Sequence, residues 1–260
     1  ENLAKGRDVP KGPWKRQPGT TDRRCLRVAA AWRIENKSLW LNYLAGRNQV
    51  EKDIGRLKTQ LGSASVARLQ TEMASKISPF WTAMGEPQLM GDVNEVLLGH
   101  ATDPENLVNI LSEGCSEKFC GGLFGKCVYF AETPCKNDQY AKKDTHSSRE
   151  LHELLYPRRQ DKSLADVYFI IICRVVMGHF VRTQDGLSNM DSPVGKSVWR
   201  LKHTELTEID GTTPGIRYHG MVAETGIRIK RHREFLQYHS NRIYPTYLVA
   251  YKREVNGRDI

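Results

Sequence analysis

Three features of the chain predict an α+β fold. Strand-like and helix-like segments are interleaved, the last strand-like segments lie close together in sequence, and regular βαβ crossovers are few. The chain has 260 residues, of which 39% are hydrophobic and 27% charged. This length and composition are typical of one large globular domain with a sizeable core.

The first quarter of the chain predicts a leader, a strand and two helices. Residues 1–24 are rich in Lys, Arg, Gly, Pro and Thr without periodicity, and we interpret them as a flexible basic leader. A strand follows at Leu26–Ile34, and Asn36 or Ser38 then caps a helix whose apolar residues recur at helical spacing. A second helix is expected over about Ser65–Ser75.

Short elements predominate in the middle of the chain. Glu95–His100 is predicted to be a buried strand, and Asp103 to cap a helix that runs through Leu111. Val128–Ala131 predicts a strand, followed by a helix that ends at about Tyr140.

The last hundred residues contain the strongest strand of the chain. Val167–Gly178 is apolar on both faces, as in a central strand. Gln184–Pro214 has no clear period and predicts a long loop. His232–Tyr238 and Ile243–Lys252 predict two closing strands.

Net charge and cysteines leave the class of partner open. The formal net charge is +9, which permits an anionic partner, although the basic residues are spread along the chain and no nucleic-acid-binding motif accompanies them. A principal role in nucleic-acid binding would predict steeply salt-dependent binding that survives loss of any catalytic residue. The six cysteines lack the paired spacing of zinc sites, so we expect no metal and reduced thiols.

No segment predicts insertion into a membrane or secretion. The longest apolar run, Val167–Met177, is interrupted by Arg174 and is shorter than the roughly 18 residues of a membrane helix. An N-terminal apolar stretch typical of a signal peptide is also lacking. We therefore expect an intracellular protein, in the nucleus or the cytoplasm, without a membrane partner.

Three short segments carry the functional signal. They are Leu97-Leu98-Gly99-His100-Ala101-Thr102, Phe124-Gly125-Lys126-Cys127-Val128-Tyr129-Phe130-Ala131-Glu132 and Arg233-Glu234-Phe235-Leu236-Gln237-Tyr238. Their order, spacing and surroundings resemble the His-Tyr-Glu signature of the poly(ADP-ribose) polymerases, which are diphtheria-toxin-like ADP-ribosyltransferases. The resemblance runs from about Leu26 to Tyr251.

The resemblance implies a fold and a domain organisation. We expect the ADP-ribosyltransferase fold, with two packed, mainly antiparallel β-sheets and flanking helices around an NAD-binding cleft. Residues 25–260 would form the catalytic domain, in which residues 25–90 supply an N-terminal strand and helices. NAD⁺ would be consumed as a co-substrate, nicotinamide would be released, and ADP-ribose would pass to protein acceptors, the enzyme itself included.

The same resemblance assigns roles to the site residues. His100 would donate a hydrogen bond to the adenosine ribose, Tyr129 and Tyr140 would stack on the two faces of nicotinamide, and Glu234 would stabilise the developing sugar cation. The remaining expected NAD-binding residues, by the same resemblance, are Ala101, Thr102, Gly125, Phe130, Ala131 and Asn137. Residues 114–126 match the donor loop that covers NAD⁺.

Three residues depart from the family pattern. Ala101 replaces the glycine whose backbone holds the carboxamide of nicotinamide, and Cys127 replaces a glycine and brings a thiol near the pocket. Asn137 takes the place of a carboxamide-binding serine. A residue of the wrong size at these positions would leave a silent NAD⁺ or ADP-ribose-binding module instead of an enzyme. Within the enzyme hypothesis, single-unit transfer and polymer formation both stay open, and nucleic acid is undecided as an acceptor.

Overall fold

A computed structural model describes residues 24–62, 66–73, 81, 83, 85–144, 149–155 and 166–259. The predicted leader, residues 1–24, lies outside the described residues except for Arg24, so its flexibility stays a prediction. The described chain forms two β-sheets, a short β-hairpin and four α-helices.

The first sheet has the strand order β1-β10-β4-β2, and all of its pairings are antiparallel. Its strands are β1 (Arg24–Arg33), β2 (Glu95–His100), β4 (Tyr168–Val176) and β10 (Ile243–Val255), with β11 (Arg258–Asp259) added against β10. The predicted central strand is confirmed, because β4 lies between β10 and β2 and is buried on both faces.

The second sheet has the order β3-β9-β8-β5. Its strands are β3 (Val128–Phe130), β5 (Phe180–Thr183), β8 (Gly220–Ala223) and β9 (Glu234–Gln237). Only the β5–β8 pairing is parallel. Phe130 and Phe235 of this sheet share one hydrophobic core with Leu98 and Ile171 of the first sheet. The two sheets therefore pack face to face, which confirms the predicted α+β architecture.

Helices flank the two sheets. α1 (Lys37–Leu61) is the long predicted helix, and the Asn36 side chain caps it by accepting a hydrogen bond from the Leu39 amide at 3.1 Å. α2 (Leu107–Glu113), α3 (Pro134–Asp138) and α4 (Arg149–Leu155) are short.

The predicted cap of the helix after β2 differs from the structure. Asp103 makes no capping hydrogen bond, and its carboxylate instead pairs with the Lys142 ammonium at 2.5 Å. A 3₁₀ turn over Pro104–Asn106 precedes α2. Because the Asp103 carboxylate is engaged in this ion pair, it does not accept the expected hydrogen bond from the first turn of the helix.

Two further predictions were wrong. In the expected helix at 65–75, residues 66–71 are not helical, because Asn94 binds this backbone from the side: it accepts from the Leu69 amide and donates to the Ala67 carbonyl. The expected loop at 184–214 contains the hairpin of β6 (Trp199–Leu201) and β7 (Glu205–Leu206).

Candidate active site

A small cavity of about 60 Å³ brings together most of the residues that the sequence singled out. It lies where the edges of the two sheets meet, since the backbones of Gly99 in β2 and Ala131 after β3 exchange hydrogen bonds of 2.8 and 3.0 Å. The cavity is lined by His100, Ala101, Tyr129, Phe130, Ala131, Lys136, Asn137, Tyr140 and Glu234.

His100, the last residue of β2, has a defined tautomer. Its Nδ1 lies 2.8 Å from the Tyr129 carbonyl oxygen, and because a carbonyl only accepts, Nδ1 carries the proton. Burial lowers the pKa of the imidazole below its ordinary value. The neutral ring therefore presents Nε2 as a hydrogen-bond acceptor.

Tyr129 in β3 is fixed by the donor loop. Its hydroxyl accepts a hydrogen bond from the Phe124 amide at 2.9 Å and donates to the Gly125 carbonyl at 3.1 Å. Burial raises the pKa of this phenol, so it stays a neutral donor. The aromatic ring is thereby held in the lining of the cavity, together with Tyr140 and Lys136.

Glu234 opens β9, an interior strand of the second sheet, and is buried. Its Oε1 lies 2.7 Å from the Lys136 ammonium, which is also buried. The basic residues Arg233 and Lys230, close to Glu234 in sequence, make contacts elsewhere. Arg233 binds Glu132 instead, and Lys230 donates to the Gly226 carbonyl.

Lys136 is the residue of this cavity that the sequence analysis missed. It lies in α3, four residues before Tyr140, and its ammonium is 5.3 Å from the centre of the Tyr140 ring. Residues four apart share one face of a helix, so this spacing was a signal that Lys136 accompanies Tyr140 into the site.

The bulk of Asn137 is accommodated by Gly99. A Cβ placed on Gly99 would lie only 2.2 Å from the Asn137 Nδ2, so the glycine leaves the space that the amide fills. The same Nδ2 lies 3.3 Å from the Ala131 carbonyl and 3.2 Å from the Thr133 carbonyl. With its donor engaged, Asn137 offers its oxygen to a ligand as an acceptor.

The other two departures from the family pattern also fit the structure. Ala101 is not among the residues of positive φ, so its Cβ brings no backbone strain. Cys127 is fully buried in the core beneath the donor loop and does not line the cavity, and burial raises the pKa of its thiol. The expected thiol near the pocket is therefore an unreactive core side chain.

Two expected NAD-binding residues do not line the cavity. The Thr102 hydroxyl accepts a hydrogen bond from the Asn106 amide at 3.0 Å, and Gly125 packs against the carbonyl of His203. Gly125 contributes indirectly, as the acceptor that fixes the Tyr129 hydroxyl.

A larger cleft of about 740 Å³ lies elsewhere, between α1, the donor loop and the β6–β7 hairpin. None of the expected site residues lines it. We take the smaller cavity as the candidate active site, because buried Glu234 lines it together with His100, Tyr129 and Tyr140, the residues that the sequence singled out.

Neither a metal site nor a membrane span is found in the part of the chain that the structure describes. No group of three or more His, Cys, Asp or Glu side chains is arranged to hold a metal ion among these residues. None of the helices in the same ranges is long and apolar enough to cross a membrane.

Comparison with known proteins identifies the family. A family model described as the poly(ADP-ribose) polymerase catalytic domain matches residues 16–253. A search of curated proteins finds no match. Catalytic domains of the matching kind are ADP-ribosyltransferases that use NAD⁺ as a substrate and modify protein acceptors. The chain therefore belongs to the poly(ADP-ribose) polymerase catalytic-domain family.

Proposed function

We propose that this protein is an active NAD⁺-dependent ADP-ribosyltransferase that transfers ADP-ribose to protein side chains, its own included. One observation carries the proposal: the buried Glu234–Lys136 pair opens on the same cavity as His100, Tyr129 and Tyr140. A carboxylate in an apolar cavity needs a chemical reason, and a developing sugar cation supplies one.

Nicotinamide would bind between Tyr129 and Tyr140, where aromatic faces suit a flat leaving ring. The backbone of Ala101 would hold its carboxamide, and the Asn137 oxygen would accept from the carboxamide N–H. Phe130 and Ala131 complete this wall of the cavity. His100 Nε2 would accept from the adenosine ribose and orient the dinucleotide. Thr102 and Gly125 stay expected contacts at the edge of this site.

The reaction breaks the bond between ribose C1′ and the nicotinamide nitrogen. The electron pair leaves with nicotinamide, which becomes neutral, while positive charge develops on the ribose. Glu234 stabilises that charge and binds the ribose hydroxyl, and the acceptor then attacks C1′. When the acceptor is a ribose hydroxyl of bound ADP-ribose, Glu234 also receives its proton. The presence of Glu234 thus supplies the group that chain extension requires.

The test is incubation of the purified protein with NAD⁺, with nicotinamide release and intact protein mass as readouts. Transfer predicts mass steps of one ADP-ribose unit that are lost in Glu234→Gln. A heterogeneous series of larger products would assign polymer formation, and a single step would assign mono-ADP-ribosylation. Tight NAD⁺ binding without nicotinamide release would reject the proposal in favour of a binding module.

A further inference from the structure

Charged side chains of alternating sign cross one end of the second sheet, the end at which Glu234 lies. From β3 to β5 they are Glu132, Arg233, Glu224 and Arg182. Arg233 lies 2.5 Å from Glu132 and 4.0 Å from Glu224, and Arg182 lies 3.1 Å from Glu224. We call these four residues the charge ladder.

The Glu132–Arg233 pair, at the β3 end of the charge ladder, is the tightest. Arg233 Nε and Nη2 donate to the two oxygens of Glu132 at 2.5 and 3.0 Å, a two-point geometry that fixes orientation as well as distance. The same Nη2 donates to the Gln70 carbonyl, and the Glu72 amide donates to Glu132 at 2.7 Å. The Glu132 side chain is 6% exposed, so this pair is largely removed from solvent.

Two ion pairs of opposite polarity therefore join the same two segments. On β9 and the residue before it, Arg233 is followed by Glu234. On the segment from β3 into α3, Glu132 precedes Lys136 by four residues. Arg233 binds Glu132, and Glu234 binds Lys136. Neither Arg233 nor Glu132 lines the cavity, so the ion pair between these two residues does not touch a bound nicotinamide.

We propose that Arg233 is a positioning residue, which holds Glu234 at the sugar by clamping the start of β9 to Glu132. This inference rests on the proposed function of Glu234. The Arg233 guanidinium also packs over the Phe235 ring at 5.1 Å, so it holds β9 on both sides of Glu234. A misplacement of about 1 Å at a reacting centre can cost about 100-fold in rate, so loss of the clamp should act on turnover.

The test is a kinetic comparison of Arg233→Gln with Arg217→Gln. Arg217 is a matched control, because it forms a 3.1 Å ion pair with Glu205 near the β6–β7 hairpin and does not line the active-site cavity. We expect Arg233→Gln to lower kcat for nicotinamide release by about 10- to 100-fold while KM for NAD⁺ changes less than about threefold. Arg217→Gln should match the wild type. Rates are compared below the unfolding transition of every variant.

A double-mutant cycle with Glu132→Gln separates a clamp from a general loss of structure. If Arg233 acts through Glu132, the double variant loses no more activity than the Arg233 variant alone. Arg233→Lys should be intermediate, because an ammonium does not reproduce the two-point geometry. An unchanged kcat in Arg233→Gln, a loss confined to KM, or full multiplication of the two single losses would overturn the proposal.

Hydrogen exchange tests the clamp without turnover. We expect the amides of Glu234–Gln237 to exchange faster in Arg233→Gln than in the wild type and in Arg217→Gln. If exchange is faster in Arg233→Gln but the wild type releases no nicotinamide, the proposed function is rejected and the clamp is kept. Unchanged exchange would reject the clamp, whether or not the enzyme turns over.

Discussion

Two buried ion pairs of this protein each join a glutamate to a basic side chain but lie in different surroundings. In the first sheet, Glu95 of β2 binds Arg174 of β4, with 2.6 Å between Oε1 and Nε. At the second sheet, Glu234 of β9 binds Lys136 of α3 at 2.7 Å. In the first pair Glu95 lies outside the candidate active-site cavity and Arg174 borders a separate cleft, whereas both residues of the second pair line the candidate active-site cavity.

The Glu95–Arg174 pair is saturated with hydrogen bonds. Glu95 also accepts from the Tyr43 hydroxyl at 2.6 Å and from the Met90 amide at 2.7 Å. Arg174 donates its two remaining nitrogens to backbone carbonyls at 2.9 and 3.0 Å. A buried charge with every hydrogen bond made is held in one place, as a structural element requires.

The Glu234–Lys136 pair joins a five-residue helix to the first residue of a strand, and both residues line a space that a ligand can enter. Burial of a carboxylate therefore does not by itself mark a catalytic group. What distinguishes Glu234 is the cavity and the histidine and tyrosines around it.

The largest expected effect is the loss of stability when the Glu95–Arg174 ion pair is removed. Arg174→Met removes the hydrogen-bonded cation of buried Glu95 and leaves only Arg47, 3.7 Å from its other oxygen, so the free energy of unfolding should fall by up to about 3–5 kcal/mol. Urea unfolding of the variant measures this. Nicotinamide release per folded molecule should stay near the wild-type rate, and a selective loss of turnover with normal stability would contradict the division between the two pairs.

His179 shows what partial burial of an ionisable side chain costs. It stacks on Tyr218, with ring centres 5.1 Å apart, and its Nδ1 is buried without a hydrogen-bond partner among the described residues. Burial, reinforced by neighbouring His219, lowers its pKa to about 4.

The sign of the resulting pH dependence follows from the two states. In unfolded chains histidine titrates near 6.5, so between pH 6.5 and 4 the unfolded state binds a proton that the folded state does not. Stability should fall over this range, by on the order of 2 kcal/mol at pH 5 from His179 alone. Urea unfolding at pH 7.5 and pH 5 should show a smaller acid loss in His179→Gln, and an equal loss would refute the assignment.

A smaller effect is expected from a substitution that crowds the Asn137 side chain. Gly99→Ala would place a Cβ 2.2 Å from the Asn137 amide nitrogen and displace a residue that lines the nicotinamide site. We expect KM for NAD⁺ to rise about tenfold, which corresponds to about 1.4 kcal/mol. Steady-state kinetics measures the change. Adding Asn137→Ser should recover much of it, and a failure to recover would show that the alanine acts elsewhere.

The smallest effect is that of Asn137→Ser alone. Because Gly99 already accommodates the amide, shortening the side chain replaces one hydrogen-bonding group by another. KM for NAD⁺ should change by less than about threefold, measured beside the wild type. A change of tenfold or more would mean that Asn137 sets affinity in a way that its packing does not explain.

Patterns local in sequence predicted the main elements and the outline of the site. The apolar run of β4 predicted a central strand, and three short segments predicted the residues that meet in the cavity. Contacts between distant residues were beyond reach. Lys136 and Glu234 are 98 positions apart and meet only because the fold brings α3 and the start of β9 to the same cavity. Likewise, the backbone of Ala67 and Leu69 is bound by Asn94, a contact that no local pattern reveals.

The most direct test of the account measures nicotinamide release and urea unfolding side by side for the wild type, Glu234→Gln and Glu95→Gln. We predict that Glu234→Gln loses about 100- to 1,000-fold in turnover with nearly unchanged stability, because it removes charge stabilisation at the reacting sugar. Glu95→Gln should lose stability and retain turnover while folded. Wild-type turnover in Glu234→Gln, or equal losses of turnover in both variants, would contradict the assignment of the active site to the cavity around Glu234.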